Sequence, residues 1–238
     1  FDEVVRERAF EFAQGGSGGV QGITLTPIER SISEDGSLSY SLVEVAVDRN
    51  ARRAVLTLNG PSVKAPDTIE KAQGEGSEFY LLRLCRELED AILHLRLNEV
   101  GVGTWVFRTQ GDSVLLKAHE DVLTENNNHW FACEIRSFWK RTLKRIDVTS
   151  RSLVGFVEHG SCFHGVLAEL LWAVDRTYMM EDEFEGDNRP VATITLSEDN
   201  FGIYPMGNGL SRLDTRFLGE PQQIEALRAK IGTPLEAE

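Results

Sequence analysis

Apolar residues recur along this chain with two different periods. Between residues 78 and 97, Leu81, Leu84, Cys85, Leu88, Ala91, Ile92 and Leu95 return at every third or fourth position, which predicts a helix buried along one side. Residues 129–146 repeat that pattern with Phe131, Ile135, Phe138, Trp139, Leu143 and Ile146. Elsewhere the period is two. Val43, Val45 and Val47 share one face of a strand over 38–47, and Ala54, Leu56 and Leu58 share one face of a strand over 53–58. Glu34-Asp35-Gly36 is a hairpin signal joining 28–33 to 38–47, and Arg49-Asn50-Ala51 is a second turn. Further strands are expected at 103–109, 152–157, 176–180 and 191–196, with a loop and at most a short helix over 110–125. A short helix before Gly74-Glu75-Gly76 and two more at 210–218 and 222–231 complete the reading. Strands that alternate with long helices indicate an α/β architecture with a mainly parallel sheet.

The two ends of this pattern differ in kind from its middle. Val4, Val5, Ala9, Phe10 and Phe12 give residues 2–14 the apolar side of a helix, which stops at Gly15-Gly16-Ser17-Gly18-Gly19, a flexible linker by composition. Residues 1–19 are therefore expected to be the tail of a preceding domain, and 20–238 the main domain. The start without Met fits a piece of something longer. In the middle, a strand at 152–157 runs through His159-Gly160-Ser161 into a helix at 163–174 that is apolar on nearly every side and so predicted to be buried. Such a corner aims free helix N–H groups at the strand's carboxyl end and favours negative charge there.

Charge narrows the range of partners. The net charge of −13, from 38 acidic and 25 basic residues, lacks the basic footprint of a nucleic-acid binder. Cys85, Cys133 and Cys162 match no zinc spacing and are odd in number, which fits a reducing compartment and a cytoplasmic protein. No apolar run approaches a membrane span, and no signal-peptide pattern is visible.

Four features could carry chemistry, each with a structural alternative. The helix N-terminus at Cys162-Phe163-His164-Gly165 could hold an oxyanion, or be an ordinary strand–turn–helix corner. Glu169 and Glu198 could form an acid–base pair in one pocket, or be two surface acids. Cys162, with His159 and His164 nearby, could be an activated thiol or a buried structural cysteine. Arg136, Lys140, Arg141, Lys144 and Arg145 could contact an anion, or form a solvated helix face.

Two segments resemble the crotonase (enoyl-CoA hydratase/isomerase) superfamily. In VEHGSCFHGVLAELLWAVD (157–175), Gly165, Glu169 and Asp175 match the first glycine of the family's Gly-Gly-Gly turn, its helix glutamate and its closing aspartate. In SEDNFGIYPMGNGLSRL (197–213), Glu198, Gly202, Pro205, Gly209 and Arg212 match without a gap. The resemblance implies a crotonase-like spiral of ββα units, with Glu169 and Glu198 as catalytic residues in one shared cavity. Backbone N–H groups at Gly165 and Val166 would bind the thioester oxyanion of an acyl-CoA. It implies no metal and no redox cofactor, CoA being part of the substrate. Two departures stand out: 110–118 lacks the family's small-Gly-x-Asp motif, and the glycine turn has become Gly165-Val166-Leu167.

Within the superfamily, RELEDAILHLR, RTLKRIDVTSRSL and the Gly160-Ser161-Cys162-Phe163 turn are similar to the second half of a two-part, ring-opening branch, over about residues 26–218. That likeness implies a lyase of aerobic benzoate degradation that opens 2,3-epoxybenzoyl-CoA with water and releases formate. Its partners would be a preceding crotonase-like half and further copies in a homo-oligomer. The alternative is a non-catalytic crotonase-like scaffold or oligomerisation domain.

Overall fold

The computed structural model describes residues 1–15, 22–181 and 189–237. The remainder of the Gly-rich linker, 16–19, and residues 182–188 of the acidic loop expected after 180 lie outside them. Helix α1 (Asp2–Gly15) comes first, and its side chains at 2–13 are all exposed.

The main body opens with four antiparallel strands: β1 (Ser31–Ile32), β2 (Leu38–Ser39), β3 (Val43–Asp48) and β4 (Arg53–Asn59). The expected hairpin is present, but the strand over 38–47 is broken. The buried Glu87 carboxylate accepts the Leu42 N–H at 2.7 Å and the Ser41 hydroxyl, which draws the chain out of the ladder between β2 and β3. Helix α2 (Ile69–Glu75), helix α3 (Tyr80–Leu97), strand β5 (Thr104–Gln110), helix α4 (Ser113–Glu125) and helix α5 (Trp130–Asp147) follow. Helix α4 corrects the loop expected at 110–125. Asp112 caps it, accepting the Val114 N–H at 2.7 Å and the Leu115 N–H at 3.3 Å, and Leu116, Val122 and Leu123 bury its inner side.

Strand β6 (Ser152–Val157), strand β7 (Phe163–His164), helix α6 (Gly165–Ala173), strand β8 (Arg176–Met179) and strand β9 (Ile194–Thr195) come next. The expected helix at 163–174 loses its first two residues because Phe163 and His164 pair in parallel with Ile194 and Thr195. A 3-10 turn (Glu198–Phe201), helix α7 (Arg212–Arg216), helix α8 (Pro221–Arg228) and strand β10 (Pro234–Leu235) close the chain.

Seven strands form the main sheet in the order β1-β2-β3-β4-β5-β6-β8, and it is parallel from β4 onward. A small second sheet runs β10-β9-β7. Alternation sends Val43, Val45, Ala54, Leu56, Leu58, Trp105 and Phe107 into the core, while Glu44 and Arg108 stay outside. Helices α3 and α5 cover the core side, and the Trp139 indole ties them together by donating to the Leu81 carbonyl at 3.0 Å. No helix among the described residues is long and apolar enough to cross a membrane.

Candidate functional site

The corner between β6 and α6 is built as the sequence suggests. Gly165 opens the helix with φ +46°, a left-handed conformation that favours glycine, and a side chain there would collide with the Glu120 carboxylate. That neighbour changes the site. Glu120 reaches over from α4, accepts the Val166 N–H at 2.5 Å and shares a short hydrogen bond with His164 Nδ1. Both side chains are buried, and burial pushes the Glu120 carboxyl above its ordinary range against the pull of His164 and Val166. The Val166 N–H expected to face a thioester oxygen is therefore occupied by a carboxyl group of the chain itself.

Over 110–118, where the family's small-Gly-x-Asp motif is missing, backbone N–H groups are engaged as well. The Gly111 N–H donates to the Gly160 carbonyl at 2.9 Å, and the N–H groups of Val114 and Leu115 go to the Asp112 cap.

Behind this corner lies a buried ionic cluster. Glu169 is 1% exposed. Its carboxylate accepts from Asn200 Nδ2 at 2.7 Å and from Arg212 Nη1 at 2.9 Å. Arg212, equally buried, also donates to both Asp147 oxygens at 2.9 and 2.7 Å and to the Tyr204 carbonyl at 2.9 Å. One guanidinium thus serves two carboxylates. Burial, with a further push from Asp147, raises the Glu169 carboxyl to about 7, although Asn200 and Arg212 both hold it down. Arg136, expected on an outer basic face, is instead buried, donating to Asp199 at 3.0 Å and to Thr124 at 2.9 Å. The other basic residues of α5 keep some exposure.

Glu169 and Glu198 do not share a cavity. The 3-10 turn sends its neighbouring residues Asp199 and Asn200 inward, to Arg136 and Glu169, and leaves the Glu198 side chain 68% exposed beside Arg228 at 3.4 Å. Glu198 sits on the wall of a cleft of about 170 Å³ that is also lined by Glu120, His164, Asp199 and Lys117, but not by Glu169. Cys162 is buried, and desolvation pushes its thiol up to about 11, the reverse of an activated nucleophile. His159 turns its Nδ1 to the Pro190 carbonyl at 2.9 Å. Among the described residues, no three His, Cys, Asp or Glu side chains stand together as metal ligands.

Sequence reasoning missed Glu120, Asn200 and the Arg136–Asp199 pair. A usable signal existed for the first: Glu120 follows Leu116 by four positions and precedes Leu123 by three, on the buried side of a helix capped by Asp112.

No family model matches the chain. It is 39% identical over 237 residues to a benzoyl-CoA-dihydrodiol lyase of Aromatoleum evansii, a match that covers 99% of this chain and 42% of that one. The chain thus spans less than half the length of that curated relative. Among solved structures, an enoyl-CoA hydratase/isomerase from Marinobacter aquaeolei superposes with a TM-score of 0.52 at 12% identity, over 82% of this chain and 65% of that one. An enoyl-CoA hydratase from Bacillus halodurans superposes with a TM-score of 0.50 at 16% identity, over 82% and 67%. At such identities the structures speak to fold alone. The mixed sheet, the β6–α6 corner and these likenesses together show that the chain carries the crotonase fold of the enoyl-CoA hydratases and is similar along nearly its whole length to a portion of a benzoyl-CoA-dihydrodiol lyase.

Proposed function

We propose that this chain is one part of a ring-opening lyase acting on an aromatic acyl-CoA, and that within it this part is the non-catalytic, crotonase-fold scaffold. The parent reaction would open 2,3-epoxybenzoyl-CoA with water, releasing formate and an aliphatic semialdehyde thioester, with no metal or redox cofactor. The observation that carries the scaffold reading is the Glu120 carboxylate on the Val166 N–H and His164. An oxyanion hole works by presenting donors to charge that develops during reaction, and a donor already bound to a fixed carboxylate offers nothing to it. The cleft beside it, about 170 Å³, also falls below the roughly 300–1,000 Å³ of ordinary ligand pockets.

One observation favours a catalytic reading instead: a carboxyl near 7, as at Glu169, suits acid–base work at neutral pH. Formate release from 2,3-epoxybenzoyl-CoA separates the two. The chain alone is expected to release formate no faster than buffer, and its E169Q and E198Q variants to behave identically. Turnover that disappears in E169Q would overturn the scaffold reading. Isothermal titration with benzoyl-CoA is expected to give no binding heat.

A further inference from the structure

The strands of the main sheet are of two kinds. Strand β3 alternates buried Val43, Val45 and Val47 with exposed Glu44 and Ala46, as a strand with one wet face does. The parallel strands do not. Ala54-Val55-Leu56 in β4, Trp105-Val106-Phe107 in β5 and Leu153-Val154-Gly155-Phe156-Val157 in β6 are near-continuous apolar runs, the composition of strands covered on both faces. Among the described residues only one face is covered. Leu56, Phe107 and Leu153 fill the core, whereas Phe156 and Tyr178 on the other face are 41% and 49% exposed.

Register lines up the outward residues. Val55 pairs with Val106 and Val106 with Val154, giving a row of half-buried valines across β4, β5 and β6. Beside it, Phe156 pairs with Tyr178 across β6 and β8, their rings stacked with centres 5.6 Å apart. Exposed Arg108 and Arg176 lie next to these side chains, so an apolar centre carries polar neighbours, as in a protein–protein contact. Four strands at about 4.8 Å spacing make the patch about 14 Å wide and flat, which suits a protein surface better than a small ligand.

We propose that this sheet face docks the remainder of the lyase of which the chain is one part, an inference that rests on that reading. The occupant follows from length and tethering. The chain covers 42% of the Aromatoleum evansii relative, so more than half of that protein lies outside the match, enough for a further domain. A domain on the same polypeptide meets the face at an effective concentration on the order of millimolar, whereas a second copy meets it only at its bulk concentration. The scaffold thus acts through its sheet and not through the β6–α6 corner.

The test is the rate at which N-ethylmaleimide labels an introduced thiol, read by peptide mass spectrometry. Tyr178→Cys places that thiol on the face, and because Tyr178 is half exposed the fold is expected to tolerate it. Native Cys133, exposed on α5, is the internal control, Cys85 and Cys162 being buried. In this chain alone, the thiol at 178 is expected to react on the same time scale as Cys133. In a chimera in which this chain replaces the matched 42% of the Aromatoleum evansii lyase, it is expected to react at least tenfold more slowly, with Cys133 unchanged. The intact relative, given a cysteine at the position aligned with Tyr178, is expected to show the same protection and decides the matter if the chimera does not fold. Undiminished labelling in the two-part protein overturns the proposal. So does a thiol already slow in this chain alone, covered from within the chain if slow at every concentration and by a second copy if slow only at high concentration. Formate release by the same two-part protein is a separate readout. Turnover without protection sinks only the docking face, and protection without turnover sinks only the lyase reading.

Discussion

Glu169 shows how one carboxyl can be located from sequence while its partners stay hidden. Its place inside an apolar helix was legible, since no other charged residue interrupts 163–174. Its partners were not, because Asn200 and Arg212 lie 31 and 43 positions away and no local period links them. Glu198 was misplaced for the opposite reason: it matches by position, but a 3-10 turn capped by Ser197 decides which of three successive polar residues faces inward. The buried Glu169 has a testable consequence. Its folded-state carboxyl is raised to about 7 from an ordinary 4.5, so the stability it contributes is fully present below pH 4.5 and is lost as pH rises through 7. E169Q cannot ionise, so the stability of the natural chain relative to E169Q is expected to fall between pH 4.5 and 7 and to level off above. Urea unfolding at pH 5 and pH 8 checks this, and a constant difference between the two proteins would contradict it.

Among elements, the long one-sided helices α3 and α5 and the alternating strands β3 and β4 were readable because burial there is almost purely apolar. Helix α4 was not, because its buried side includes His119 and Glu120, which interrupt the apolar period. Asp112 was the remaining cue, and it also determines where the helix starts. Asp112→Ala is expected to cost about 1 kcal/mol of stability, the usual worth of such a cap. The midpoint of urea unfolding reads it directly. A shift below about 0.3 kcal/mol would mean that packing of Leu116 and Leu123 holds α4 without its cap.

For the molecule as a whole, the main sheet and the helices on it follow from the order of periods, whereas what joins the last third of the chain to the rest does not. Arg212 makes that join, linking α7 to Asp147 at the end of α5, to Glu169 in α6 and to the Tyr204 carbonyl. Arg212→Ala would leave two buried carboxylates without their cation, and is expected to cost about 3–5 kcal/mol. Denaturant unfolding would show it, with Arg228→Ala, whose partner Glu198 is exposed, as a near-neutral control.

The Glu120 contact, finally, bears on how such a corner can drift over evolutionary time. A mutation that shortens residue 120 leaves the Val166 N–H and the His164 ring buried without a partner, at about 1–3 kcal/mol for each. Vacating the corner therefore begins with a loss of stability, and selection for folding alone disfavours that first step whether or not any activity awaits beyond it.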